Sequence, residues 1–174
     1  MNTSSRFIVG LHILAGMAAR AMSFPQDEDP SIKSDDMALS VNTNPVVIRR
    51  ILGMLQKAGL VHSKKGRNGG SRLAQAPTQI TLLDVYNAVE DEGLFHMHYA
   101  DPNPYCPIGC NIQDAVIDVF SDAETSMKQV LSTRTLAEVT SDIIDRSGLQ
   151  ARIDAGATFE ELRSEFLFGK KIPA

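Results

Sequence analysis

The chain has 174 residues, 43% of them hydrophobic, with a formal net charge of −4; that is enough for one domain, or one small domain with an appendage, around a proper core. Two cysteines in this length exclude a secreted disulfide framework, and no apolar run reaches the length of a membrane span, so a cytoplasmic protein with no membrane partner is expected. The charge is unevenly spread: residues 1–75 balance at +5 and residues 76–174 at −9.

The chain opens on an apolar segment in which Phe7, Leu11, Leu14, Ala18 and Met22 recur at helical spacing, with Ser4 or Ser5 as cap and an end near Ser23. Gly10, His12, Gly16 and Arg20 interrupt it and no basic leader precedes it, so it reads as a helix of the fold and not a signal peptide. Residues 24–33, with two prolines and an acidic cluster, form a loop. Ser34 followed by Asp35 and Asp36 predicts a helix start, a cap and then acids that favour the positive end of the dipole, and the helix ends near Val41. After a tight Asn42-Thr43 turn a second helix begins, with Asn44 as N-cap and Pro45 in the first turn, where a missing N–H costs nothing. Ile48, Ile51, Leu52 and Leu55 define its buried face, Arg49, Arg50 and Lys57 fall mostly opposite, and Gly59 ends it in the left-handed conformation. Two short helices joined by a few residues, the second bearing arginines, make a helix-turn-helix. A strand at Leu60–Ser63, a basic glycine-rich turn at Lys64–Gly70 and a strand at Ser71–Leu73 complete a wing, closed by Pro77.

Thr81 caps the next helix, with Leu82, Val85 and Val89 inward, up to about Glu90. Asp91–Tyr105 is irregular and holds His96 and His98. From Cys106-Pro107 the longest helix runs to about Leu131; Ile112, Val116, Val119, Ala123 and Val130 form a near-heptad seam that Phe120, Met127 and Leu131 widen. Thr135 caps a short helix through Ile144, and a weaker one spans Phe159–Phe166 before fraying at Gly169. The expected fold is mainly α: a winged helix-turn-helix domain with a small β-hairpin wing (1–90), a sensor or linker segment (91–110), dimerisation helices that include one long helix (111–145) and a C-terminal tail with a weak helix (146–174).

Between residues 37 and 83 there is no acid, whereas Arg49, Arg50, Lys57, Lys64, Lys65, Arg67 and Arg72 all lie inside. An acid-free basic window in an otherwise acidic chain is the footprint of a polyanion-binding module. Thr43, Asn44, Val46, Val47 and Arg50 are placed to reach base edges from the first turns of the second helix, with Arg50 suited to a bidentate guanine contact. Arg49, Lys57, Lys64, Lys65, Arg67 and Arg72 can supply phosphate contacts. Gly66, Gly69 and Gly70 allow a tight tip, from which Arg67 or Asn68 can enter the minor groove. The rival class is a winged-helix module that binds a protein partner and has no affinity for DNA. No catalytic motif is present: GRNGG lies between two strands, where a phosphate-binding P-loop would need a helix to follow, so no enzyme is expected.

The runs NPVVIRRILGMLQKAGLV, SKKGRNGGSRLAQ, ITLLDVYNAVE and CPIGCNIQ together resemble the bacterial winged-helix regulators that include the iron–sulfur cluster assembly repressor, the nitric-oxide-sensing repressor and the cysteine-metabolism repressor. The similarity covers Ser5 to about Ile144. It implies a homodimer held by the long helix, the Asn44 helix in the major groove of a palindromic double-stranded operator, the wing near the minor groove, and transcriptional repression, sometimes activation. Several members of that group carry a cluster on three cysteines just before the dimer helix; this chain has Cys106 and Cys110 only. It also has Ser71 where the group's wing carries a tyrosine after the paired glycines.

Three readings of Cys106 and Cys110 stand side by side. Pro107 fits a first helical turn, which puts Cys106 at or next to the N-cap, where the dipole favours a thiolate; Cys110 one turn on makes the pair a candidate redox switch. With His96 and His98 they could instead hold zinc or an atypical iron–sulfur cluster, although H-x-H followed by C-x₃-C is not a standard spacing. Or they are small apolar fillers, no cofactor is bound, and the signal is a small molecule in a pocket near the dimer helix, or there is none.

Overall fold

The computed structural model describes residues 3–66, 69–90, 93, 95, 103 and 105–168. In order these form α1 (Thr3–Ser23), α2 (Ser34–Val41), α3 (Pro45–Lys57), β1 (Val61–Lys64), β2 (Gly70–Leu73), a 3-10 turn (Pro77–Gln79), α4 (Leu82–Val89), α5 (Pro107–Ser132), α6 (Leu136–Ser147), α7 (Leu149–Asp154) and α8 (Phe159–Phe168). Predominantly helical, with one two-stranded antiparallel sheet, this is the winged-helix architecture that the residue pattern predicts.

The core is organised by α1. Its Ile13, Leu14, Met17 and Ala18 meet Ile48, Ile51 and Leu55 of α3, Val85 and Val89 of α4, and Leu136 of α6 in one buried cluster. Truncating a fully buried leucine here, Leu14 or Leu55, would cost about 2–5 kcal/mol. The predicted α1 stripe is rotated at its end: Met22 is exposed, and Phe24, just past the helix, takes the buried position. The helix also starts earlier than the Ser4/Ser5 cap implies, at Thr3.

Local capping explains most of the boundaries. Asn44 accepts the Val46 N–H at 2.8 Å and Pro45 occupies the first turn of α3. Gly59, at φ +75°, closes the other end: its N–H reaches the Gln56 carbonyl and that of Leu60 reaches Leu55, a Schellman arrangement. Thr81 with Asp84 and Thr135 with Glu138 form reciprocal capping boxes. Ser34 departs from its predicted role. It is the first helical residue of α2; Lys33 sits in extended geometry at the N-cap and its side chain bonds nothing there, while Asp35 and Asp36 do occupy the first turn.

Two further features lie outside the predicted plan. Helix α6, grouped by sequence with the dimerisation helices, packs on α1, with Leu136 completely buried. A short ladder fastens it: Leu82 N–H donates to the Arg134 carbonyl at 2.9 Å and Leu136 N–H to that of Ile80 at 2.8 Å. Behind it an unpredicted α7 turns the chain back, and α8 docks on α2 through a bidentate Arg163–Asp36 pair at 2.6 and 2.8 Å. Among the described residues no helix is long and apolar enough to cross a membrane.

Candidate nucleic-acid interface

The turn between α2 and α3 is set by Asn42, the one non-glycine residue at positive φ (55°) among those described. Asparagine tolerates this left-handed geometry, and its N–H and that of Thr43 satisfy the last carbonyls of α2, on Leu39 and Ala38. The chain then reverses directly into the Asn44 cap. In the first turns of α3, Val46 is 65% exposed and Arg50 is exposed, whereas Val47 and Thr43 are half-buried and Val47 packs against the core. Arg49 points outward but is already engaged: its guanidinium meets Asp35 of α2 at 3.1 Å, both groups largely in solvent. Arg50, Lys57, Lys65 and Arg72 are exposed and meet no carboxylate at salt-bridge distance among the described residues.

The wing pairs Val61 with Leu73, His62 with Arg72, Ser63 with Ser71 and Lys64 with Gly70. Alternation puts Val61 inside and turns His62 and Arg72 to solvent on one face. His62 is a basic-face residue that the acid-free window does not single out, because a lone histidine between valine and serine carries no signal; its register opposite Arg72 does. At the turn, Gly66 adopts φ +110° and its carbonyl accepts the Gly69 N–H at 2.9 Å. A Cβ on Gly69 would lie 2.3 Å from the Lys64 carbonyl oxygen, so the tip needs glycine there. Arg67 and Asn68 lie outside the described residues.

The base of the wing has a support that the sequence does not announce. Ile32 pairs with Ser71 through reciprocal N–H to carbonyl bonds of 2.9 Å, adding a third chain to the hairpin. Gly70 allows this approach, since a Cβ there would meet that of Ser31 at 2.8 Å. Ser71 is 4% exposed, with its hydroxyl 2.8 Å from that of Ser63, so this position lies under the wing and not on its reading face. Arg20 ties the supporting loop down, donating to the carbonyls of Ser31 at 2.8 Å and Asp29 at 3.0 Å and to Asp27 at 3.2 Å.

The family model for Rrf2, described as an iron-dependent transcriptional regulator, matches residues 3–142. The chain belongs to the Rrf2 family. It is 39% identical over 137 residues to the HTH-type transcriptional regulator YwnA of Bacillus subtilis, covering 78% of this chain and 95% of YwnA. A solved transcriptional regulator from Lactobacillus plantarum superposes with a TM-score of 0.64 at 25% identity, over 86% of this chain and 97% of that one. The fold is also that of CymR, the global cysteine regulator of B. subtilis, at 22% identity and a TM-score of 0.55 over 81% of this chain and 97% of CymR. This Rrf2 protein is a DNA-binding transcriptional regulator and not an enzyme.

At the start of α5, Cys106 is the N-cap, its Sγ accepting the Gly109 N–H at 3.3 Å, with Pro107 in the first turn. Cys110 is exposed and its thiol donates to the Asn103 carbonyl at 3.5 Å. His96 and His98 lie outside the described residues, and no group of three or more metal-ligating side chains occurs among those described. An iron–sulfur cluster takes four thiolates, or two with two imidazoles. Among the described residues the two thiols by themselves complete neither set, and one of them also caps the helix.

Helix α5 spans 26 residues and none of them is buried. Ile108, Ile112, Ile117, Val119 and Val130 are each at least half exposed. Phe120 is covered on one side by Phe95, stacked with centroids 4.3 Å apart.

Proposed function

We propose that two copies of this chain pair through α5 and bind a palindromic operator as a repressor, with one reading head per half-site about 34 Å apart. In each head Val46 and Arg50 face base edges, Val46 meeting a thymine methyl and Arg50 a guanine, with Thr43 and Asn44 beside them at the helix start, while Val47 packs on the core and supports the helix from behind. Lys57, Lys64, Lys65 and Arg72 hold phosphates, Arg67 and Asn68 serve at the wing tip, and Arg49 joins the phosphate contacts when it leaves Asp35. The observation that carries this reading is the exposed face of α3 and the wing, where Arg50, Lys57, Lys65 and Arg72 stand without carboxylate partners among the described residues, beside an exposed Val46. A module for binding a neutral protein surface has no use for that charge.

Pairing through α5 follows from its apolar stripe, which an isolated chain leaves in water. Cys106 and Cys110 open that helix, so a disulfide or sulfenic acid there would disturb its first turn and alter the spacing of the heads. Fluorescence anisotropy on operator duplexes across a salt series, with sedimentation of the same samples, tests the proposal. Tight, steeply salt-dependent binding by a dimer is expected, together with a shift to monomer and loss of operator binding in Val119→Lys. An intact dimer that binds no duplex at low salt would refute it. For the cysteine switch, oxidant sensitivity unchanged in Cys106→Ser would do so.

A further inference from the structure

Helices α7 and α8 follow the stretch matched by the family, residues 3–142, and they help wall a half-open cavity that the reading head does not use. The cavity has a volume of about 190 Å³ and lies between α1, α2 and α8. Its wall is mostly apolar, with Met37 of α2 and Phe159 and Leu162 of α8 prominent in it. Cavities of roughly 150 Å³ with apolar walls hold a benzene ring, so this one has room for one ring with a substituent.

The polar groups in the wall narrow the chemistry. The two guanidiniums are already matched, Arg163 by Asp36 at 2.6 Å and Arg20 by Asp27 at 3.2 Å, and Arg20 also lies over the Phe159 ring at 3.8 Å. Neither leaves a net charge to attract an ion. What remains is the Arg20 Nε–H, buried without a hydrogen-bond partner, and a neutral pair, His12 Nε2 and Ser40 Oγ, 3.0 Å apart. Burial of one side of the His12 ring holds its pKa below the ordinary value, so it is uncharged at neutral pH and can donate or accept. Gly16 supplies an independent observation. A glycine inside a helix weakens it relative to alanine, and nothing lies within 4 Å of where a Cβ would stand. Packing does not demand glycine there; a side chain would project into space bordering the cavity.

We propose that this cavity binds a small neutral aromatic molecule with one hydrogen-bonding group, of the phenol class, and that occupancy is reported to the helix-turn-helix through α2. The second half rests on the DNA-reading proposal: Asp36, Met37 and Ser40 belong to α2, and α8 grips that helix through Arg163. A ligand can shift DNA affinity only by the difference in its own affinity for the two states, so binding and coupling are measured separately.

The probes are phenol and toluene, titrated into the full-length protein by calorimetry or ligand-observed NMR. Saturable binding of both at millimolar concentration or below is expected, weakened at least about tenfold by Gly16→Phe, which fills the space. His12→Leu, at the part-exposed rim, should weaken phenol and leave toluene, and it keeps the test open if Gly16→Phe does not fold. Absence of saturable binding, or affinities unchanged in both variants, would overturn the site. For the coupling, duplex affinity is measured with and without saturating phenol: a change seen in the wild type and lost in Gly16→Phe supports it. No change while phenol is bound overturns it. Failure to bind duplex under any condition overturns the DNA-reading proposal instead and leaves the calorimetric result standing.

Discussion

The Arg49–Asp35 pair offers a direct test of how the reading head is balanced. The two groups meet at 3.1 Å, with side chains 58% and 73% exposed, and they link the recognition helix to the helix before it. An exposed ion pair of this kind is worth about 0.2–1 kcal/mol. If Arg49 must release Asp35 to reach a phosphate, each head spends that amount on binding. Asp35→Asn removes the cost and takes one negative charge from a face that approaches DNA. For a dimer, two releases at about 0.5 kcal/mol each give about 1 kcal/mol, or roughly fivefold tighter binding. The same change should lower fold stability, because Asp35 lies in the first turn of α2 and favours the dipole there by about 0.3–1 kcal/mol. Opposite signs make the test discriminating: affinity rises while stability falls. Anisotropy titrations from low to physiological salt, beside thermal melts of the free protein, read both. The log–log salt slope should stay close to that of the wild type, because Arg49 reaches its phosphate in both proteins and only the cost of releasing it differs. Unchanged or weaker binding by folded Asp35→Asn would refute the reasoning.

Glu90→Ala should destabilise the fold by about 3–5 kcal/mol, since it strips the partner from Arg6, a 2.9 Å pair in which the carboxylate is wholly buried; a urea midpoint within error of wild type would contradict this. Gly70→Ala should cost about 1–3 kcal/mol by pushing Ser31 and Ile32 away from the wing base, with a matching loss of duplex affinity, both measurable on one preparation. His12 makes stability depend on pH in a definite direction. Its folded pKa lies below the ordinary value of 6.5 because burial disfavours the charged ring. The unfolded chain therefore takes up the proton first, and stability is lost as pH falls from about 6.5 through the folded pKa. In His12→Leu that decline should flatten, and an identical pH profile would show that the ring does not titrate differently on folding.

How far the sequence reads correctly depends on how local the cause is. Asn44, Gly59, Thr81, Thr135 and Cys106 sit at helix ends whose geometry their own side chains or backbones settle, and each is where the pattern places it. The four buried positions of α3 follow from spacing alone. Ser34 misleads because a cap must be extended, and here Lys33 is the extended residue. The wing support at Ile32, the burial of Leu136 and the grip of Arg163 on Asp36 are unreadable for a different reason. They join segments 39, more than 50 and 127 positions apart, and no local pattern encodes which distant partner a side chain will find. In the candidate interface the charges were legible, because the absence of acids is itself a pattern. That Arg49 is already engaged, and that His62 stands beside Arg72, depended on the fold.

The ladder between residues 80–82 and 134–136 has a mechanical consequence. It returns the chain to the core at the C-terminal end of α5, so that end of the long helix is fastened to the head, as a stirrup is and a loose rope is not. A rotation of α5 there passes to the core through α6. In the proposed pairing of two copies through α5, the separation of the heads would then be set by the angle at which this fastening holds the helix.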